Sequence, residues 1–182
     1  MLNASTKLFM PKERLATKYG RGWMGDNSVG FVKTLVDLAV ENVGGDPGDF
    51  RRGLAAFHAH DGDASKRVFA VCGTSSRVIA LHEHLGVGGA AAPFIHVVES
   101  PYEDFDDDFT RLRSCEITLD RSRSTASWLV DGHSVYEAHT FIPERVRLAF
   151  GIWTMLPIRD GRSRSLSGQG VNARWRRFRV SI

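Results

Sequence analysis

His82-Glu83-His84 is the tightest group of proton-transfer side chains in the chain. It lies in Arg77–Leu85, where apolar residues alternate with period two, so neighbouring side chains point to opposite sides of a strand. His82 and His84 then share a side with Val78 and Ala80, while Glu83 lies among Ile79, Leu81 and Leu85. A carboxylate on an apolar face is costly unless it is paired or put to use. If that face lines a ligand groove, burial raises the pKa of Glu83 and suits it to general acid–base work. The structural alternative is a buried Glu tied to an Arg of a neighbouring strand. We take Glu83, His82 and His84 as the catalytic candidates.

His58-Ala59-His60 has the same i, i+2 spacing, which puts two imidazoles on one strand face and invites a metal reading. If Arg67–Cys72 pairs between the two histidine strands, they stand about 10 Å apart, two inter-strand spacings. Four imidazoles then struggle to converge on bonds of about 2 Å. No metal is expected, and His58 and His60 are kept as ligand-contact candidates. Glu103-Asp104-Phe105-Asp106-Asp107-Asp108 could hold calcium through loop oxygens, but it lacks the EF-hand glycine and terminal glutamate, so a solvated acidic loop is the default. Trp128 shares a parity with Ala126 and Val130 and reads as core. Trp153 takes the parity opposite to Phe150 and Ile152, so it can face a ligand. Gln169, between two glycines, is a further contact candidate, or a plain turn.

The elements that must hold these residues are strands. Asp131-Gly132 joins two β-branched and aromatic runs, and a two-residue connection of this kind wants positive φ at both positions. Strands are expected over Gly53–His60, Arg67–Cys72, Arg77–Leu85, Phe94–Glu99, Leu112–Leu119, Ser124–Val130, His133–Glu137, Arg145–Met155 and Asn172–Ile182. Residues 161–170 read as a long polar loop, and residues 1–30 as an irregular N-terminal extension. Phe31–Glu41 is ambiguous, because its apolar residues fit both a helical period and an alternating one; periodicity alone favours the helix.

The order of these pieces resembles an uncharacterised bacterial family of the concanavalin A-like lectin/glucanase superfamily. The likeness rests on Arg67–Cys72 with Arg77–Leu85, Ile117–Arg121, Ser127–Gly132, Leu148–Thr154, and Ser167–Gly170 leading to Trp175. It implies an all-β fold, a two-sheet antiparallel β-sandwich or jelly roll with a ligand groove on a concave face. It also implies that Phe31–Val40 is a strand, which overrides the helical period. The superfamily's glucanases resemble one another in a Glu-x-Asp-x-(x)-Glu strand that sets carboxylates on one face. No such strand exists here, and a retaining pair needs its carboxyl groups about 5–5.5 Å apart on rigid backbone. Ordinary glycosidase chemistry is therefore not expected.

The 182 residues, with 42% hydrophobic and 25% charged content, suit a single soluble domain over 1–182. No window reaches the ~18 uninterrupted apolar residues of a membrane helix. Met1–Lys18 lacks a continuous apolar signal core, which points to the cytoplasm. Cys72 and Cys115 sit in apolar runs and read as buried free thiols. The net charge of +3 is concentrated in a C-terminal run of arginines, but arginine at alternate strand positions is ordinarily a solvated face, so no nucleic-acid partner is expected. No Gly-x-Gly-x-x-Gly or Walker sequence is present, and no cofactor is expected. The resulting expectation is a cofactor-independent acid–base enzyme, a cyclase, isomerase, lyase or hydrolase on a secondary-metabolite-like small molecule. Self-association is left open. The alternative is a non-catalytic, lectin-like carbohydrate-binding module.

Overall fold

In a computed structural model, the described residues are 2–6, 23–26, 30–61, 66–85, 93–99, 108–154, 158–159, 162–163 and 170–182. They form fourteen strands, and no helix is present among them. In chain order these are β1 (Leu2–Thr6), β2 (Trp23–Asp26), β3 (Phe31–Val43), β4 (Leu54–His60), β5 (Arg67–Thr74), β6 (Arg77–His84) and β7 (Phe94–Glu99). There follow β8 (Arg113–Asp120), β9 (Thr125–Val130), β10 (His133–His139), β11 (Arg145–Trp153), β12 (Ile158–Arg159), β13 (Arg162–Ser163) and β14 (Gly170–Ser181).

Two antiparallel sheets make the sandwich. The first runs β1-β14-β3-β8-β9-β10 and the second β2-β11-β4-β5-β6-β7. Each has five principal strands, with β1 or β2 of the N-terminal segment added at an edge. The β12–β13 pair stands apart, with β13 inside the stretch 161–170 expected to be loop and β12 just before it. Phe31–Val43 is a strand despite its helical period, because it is held between β14 and β8 over nearly its whole length. Tertiary pairing decides a run that fits both periods.

The main core lies between the sheets. Phe57, Phe69, Val71, Val78, Ala80, Leu148 and Phe150 of the second sheet meet Val36, Leu38, Ile117, Leu119, Trp128 and Trp175 of the first. Gly73 lets the sheets close at one point, since a Cβ there would stand 2.8 Å from the Phe109 ring. At the β9–β10 turn Asp131 and Gly132 have φ of 50° and 81°, the left-handed pair the sequence demands. Asp131 is held by two contacts: its carboxylate accepts the Ser114 N–H at 2.7 Å and meets the buried Arg113 at 2.5 Å. Near the C-terminus a bulge between Arg176 and Arg179 puts Arg177 at φ 50°. Arg177 there forms a two-point ion pair with Asp37, and Phe178 turns back against Phe57 and Phe150 of the core.

Candidate functional site

Because facing residues of paired strands share a side, the registers of the second sheet fix what its outer face presents. One row across it reads Arg147, His60, Val68, Glu83, Ile95. The next reads Ala149, His58, Ala70, Leu81, Val97, and the third Gly151, Ala56, Cys72, Ile79, Glu99. The outer face of a sandwich sheet is normally wet. Here Leu54, Ala56, Val68, Ala70, Cys72, Ile79, Leu81 and Trp153 form a second buried hydrophobic cluster, separate from the inter-sheet core. Small side chains run through its middle at Gly151, Ala56, Ala149, Ala70 and Cys72, flanked by the larger Trp153, His58, Ile79 and Leu81. Solvent reaches the first row at both ends, where Arg147 and Ile95 are exposed, and His60 and Ala149 are half-buried.

Among the polar side chains on this face, Glu83, His58 and Trp153 are buried. Glu83 is only 7% exposed, placed by alternation in β6 among Ile79 and Leu81. His58 is 1% exposed. Burial, with a smaller contribution from His60, pushes its pKa down to about 3, so the ring is neutral at physiological pH. It packs 4.7 Å from the Trp153 ring and 5.3 Å from the His60 ring, centroid to centroid. Trp153 is 8% exposed. Both Nδ1 of His58 and Nε1 of Trp153 are buried without a hydrogen-bond partner among the described residues.

His82 and His84 face the other way, into the space between the sheets, at the edge formed by β6 and β7. The His82 ring stacks on Phe69 at 5.2 Å and lies 5.9 Å from Trp128. Its Nε2 is 3.2 Å from the Thr140 hydroxyl, which in turn accepts an Arg67 N–H at 3.0 Å. Burial, then the Arg67 charge, then His96, lower the His82 pKa to about 4. Arg67 lies over the Phe94 and Phe141 rings, and the Tyr136 hydroxyl is 3.3 Å from His96 Nδ1.

The structure therefore brings Glu83, His58, His60 and Trp153 onto one face and places His82 and His84 on the opposite one. A ligand meeting Glu83 on the outer face does not meet His82. The two histidine pairs likewise look to opposite sides of the sheet and share no ligand. Gln169 and the acidic run 103–107 lie outside the described residues. Asp108, at the end of that run, takes the Thr110 N–H at 2.9 Å and pairs with Arg111. Sequence reasoning passed over Arg67, Thr140 and His96, which surround His82. His96 falls opposite His82 only once β6 and β7 are known to pair. Cys72 and Cys115 are both free and buried.

Residues 27–182 match the profile of a family of unknown function. No curated protein matches. Among solved structures, the chain is similar to a glycoside hydrolase family 16 endo-glucanase from Bacteroides ovatus, with a TM-score of 0.55 and 10% identity over 82% of this chain and 69% of that one. It is similar to the alginate lyase AlgAT5 of polysaccharide lyase family 7, with a TM-score of 0.52 and 13% identity over 88% of this chain. The match spans 62% of that lyase's length. It is also similar to the carbohydrate-binding module CBM66 from Bacillus subtilis, with a TM-score of 0.52 and 12% identity over 88% of this chain and 78% of that one. At such identities the likeness shows the fold alone: a two-sheet antiparallel jelly-roll sandwich. No helix among the described residues is long and apolar enough to cross a membrane.

Proposed function

The chain belongs to the family of unknown function DUF6081, and we propose that it is a small-molecule enzyme in which Glu83 acts as general acid–base on a partly hydrophobic substrate. The observation that carries this reading is Glu83, a residue only 7% exposed, standing on the otherwise apolar outer face of the second sheet. A buried carboxylate needs a partner, which Glu83 has, and buried ionisable groups cluster at functional sites. In this reading a compact ligand lies against the small residues in the middle of the face, with His58 and Trp153 as its polar contacts.

A glycan-binding role fits this face less well. Aromatic platforms for sugars need an open ring, whereas Trp153 is buried and engaged by His58. Neighbouring structures named for glucans, alginate or carbohydrate binding contribute the fold only.

The test is turnover from a complex mixture. Wild type and Glu83→Gln are incubated with a small-molecule extract of a bacterial culture, and depletion is followed by mass spectrometry. The reading expects wild type to deplete a defined compound and Glu83→Gln to do so at least about a hundredfold more slowly, the usual scale of a lost general acid–base. His82→Ala and His84→Ala serve as opposite-face controls and are expected to change turnover far less, provided they fold. Equal turnover by wild type and Glu83→Gln would remove Glu83 from the chemistry.

A further inference from the structure

Two buried polar atoms on this face, the Nε1–H of Trp153 and Nδ1 of His58, have no hydrogen-bond partner among the described residues, and their rings lie with centroids 4.7 Å apart. Buried polar groups almost always find a hydrogen-bond partner, and the exceptions call for one not yet bound. An indole N–H only donates, so its partner must be an acceptor. We infer that the ligand of this face is a compact, mostly apolar molecule whose buried end carries an uncharged carbonyl or hydroxyl oxygen, received by Trp153 Nε1–H and His58 Nδ1. The inference rests on the reading of this face as a ligand site and specifies what that site recognises.

Charge and size narrow the class. Next to His58 the registers place Ala149, Ala70 and Ala56, none of which offsets the desolvation of an ionic ligand. Arg147 stands at a solvent-facing end of its row, and Arg77, at the far end of the sheet, is paired with Glu99. His58 itself is neutral because of its burial. An ion placed against His58 and Trp153 would be buried with only the His60 imidazole beside it, while a ketone or ester oxygen accepts from Trp153 Nε1–H and from His58 in its Nδ1–H tautomer, and a hydroxyl meets either tautomer. His58 and Glu83 sit two strands and one row apart, which by sheet spacings is about 12 Å between backbone positions. One molecule of ordinary small-ligand size spans the polar anchor and the carboxylate; a polymer is not needed.

The experiment uses the full chain and a matched probe set: 1-indanone, its hydrocarbon counterpart indane, and indane-1-carboxylate. The indole N–H resonance of Trp153 is identified by its loss in Trp153→Phe and followed by two-dimensional NMR during titration. The expected result is a saturable shift of that resonance with 1-indanone, and an affinity about tenfold higher for 1-indanone than for indane or the carboxylate, the scale of one hydrogen bond. His58→Phe is expected to bring indanone affinity to within about twofold of indane. The probe comparison on wild type stands even if that variant fails to fold. Indane or the carboxylate binding as well as indanone, shifts confined to the other indoles, or no shift with any probe would overturn the inference. Glu83→Gln separates the two levels of the account. Indanone selectivity with unchanged turnover in Glu83→Gln would sink the catalytic role and keep this specificity, whereas lost turnover without selectivity would do the reverse.

Discussion

Glu83, His58 and His82 are three polar side chains buried in one sheet, and each sits there for a different reason. His82 is built into the sandwich edge: its Nε2 meets a hydroxyl that Arg67 also holds, and aromatic rings cover it. Nδ1 is without a hydrogen-bond partner among the described residues in both rings, and His58 has beside it the Trp153 and His60 rings in place of a hydroxyl. Both imidazoles have pKa values depressed well below the unfolded value of 6.5, to about 3 and about 4. Each is therefore neutral in the folded chain and takes up a proton on unfolding at mildly acidic pH. Their contribution is fully present above pH 6.5 and is lost as pH falls toward the folded values. Between pH 6.5 and 5 each histidine is expected to lower stability by about 1.5 kcal/mol. Urea denaturation at pH 7, 6 and 5 reads this directly; a profile flat over that range contradicts the burial of both rings as ionisable groups. In a His82→Phe variant that folds, the slope is expected to lose about half its size.

At the scale of the element, much was legible in advance. Asp131-Gly132 announced its turn because left-handed φ at two successive positions is a demand few residue pairs meet. Its backbone values fulfil it. Gly132→Val is expected to cost about 1 kcal/mol or more, since a β-branched side chain is strained at φ 81°; a thermal melt indistinguishable from wild type would contradict the turn's role. The parity of Val78–Leu85 was equally readable, because alternation is a property of a single strand. Phe31–Val43 was not, as its residues satisfy two periods and only its partners β14 and β8 choose between them. The bulge at Arg177 also escaped the sequence: it is fixed by Asp37, 140 residues earlier in the chain. Gly73 gives a second prediction at this scale. An alanine Cβ there would stand 2.8 Å from Phe109, so Gly73→Ala is expected to destabilise by about 1–3 kcal/mol, read as a lower urea midpoint.

The whole molecule is a sandwich with two hydrophobic layers instead of one. The layer between the sheets explains the fold. The layer on the outer face of the second sheet does not need to exist for that purpose, and it carries Glu83, His58 and Trp153. Alternation within one strand could place Glu83 opposite His82, but only the order β11-β4-β5-β6-β7 could show that Trp153 and His58 share Glu83's face. Neither could the sequence foretell that this face would be closed to solvent, because burial depends on what covers a strand and not on the strand itself.

The most direct test asks whether that outer layer is a binding face or merely a second packed core. Ala149 faces His58 across the β11–β4 pairing and is half-buried. Ala149→Leu should melt within about 2 °C of wild type, while depletion of the wild-type substrate and the 1-indanone shift of Trp153 are both lost. A fall in melting temperature of roughly 3–10 °C, the signature of about 1–3 kcal/mol of overpacking, with turnover and probe binding retained, would contradict the account.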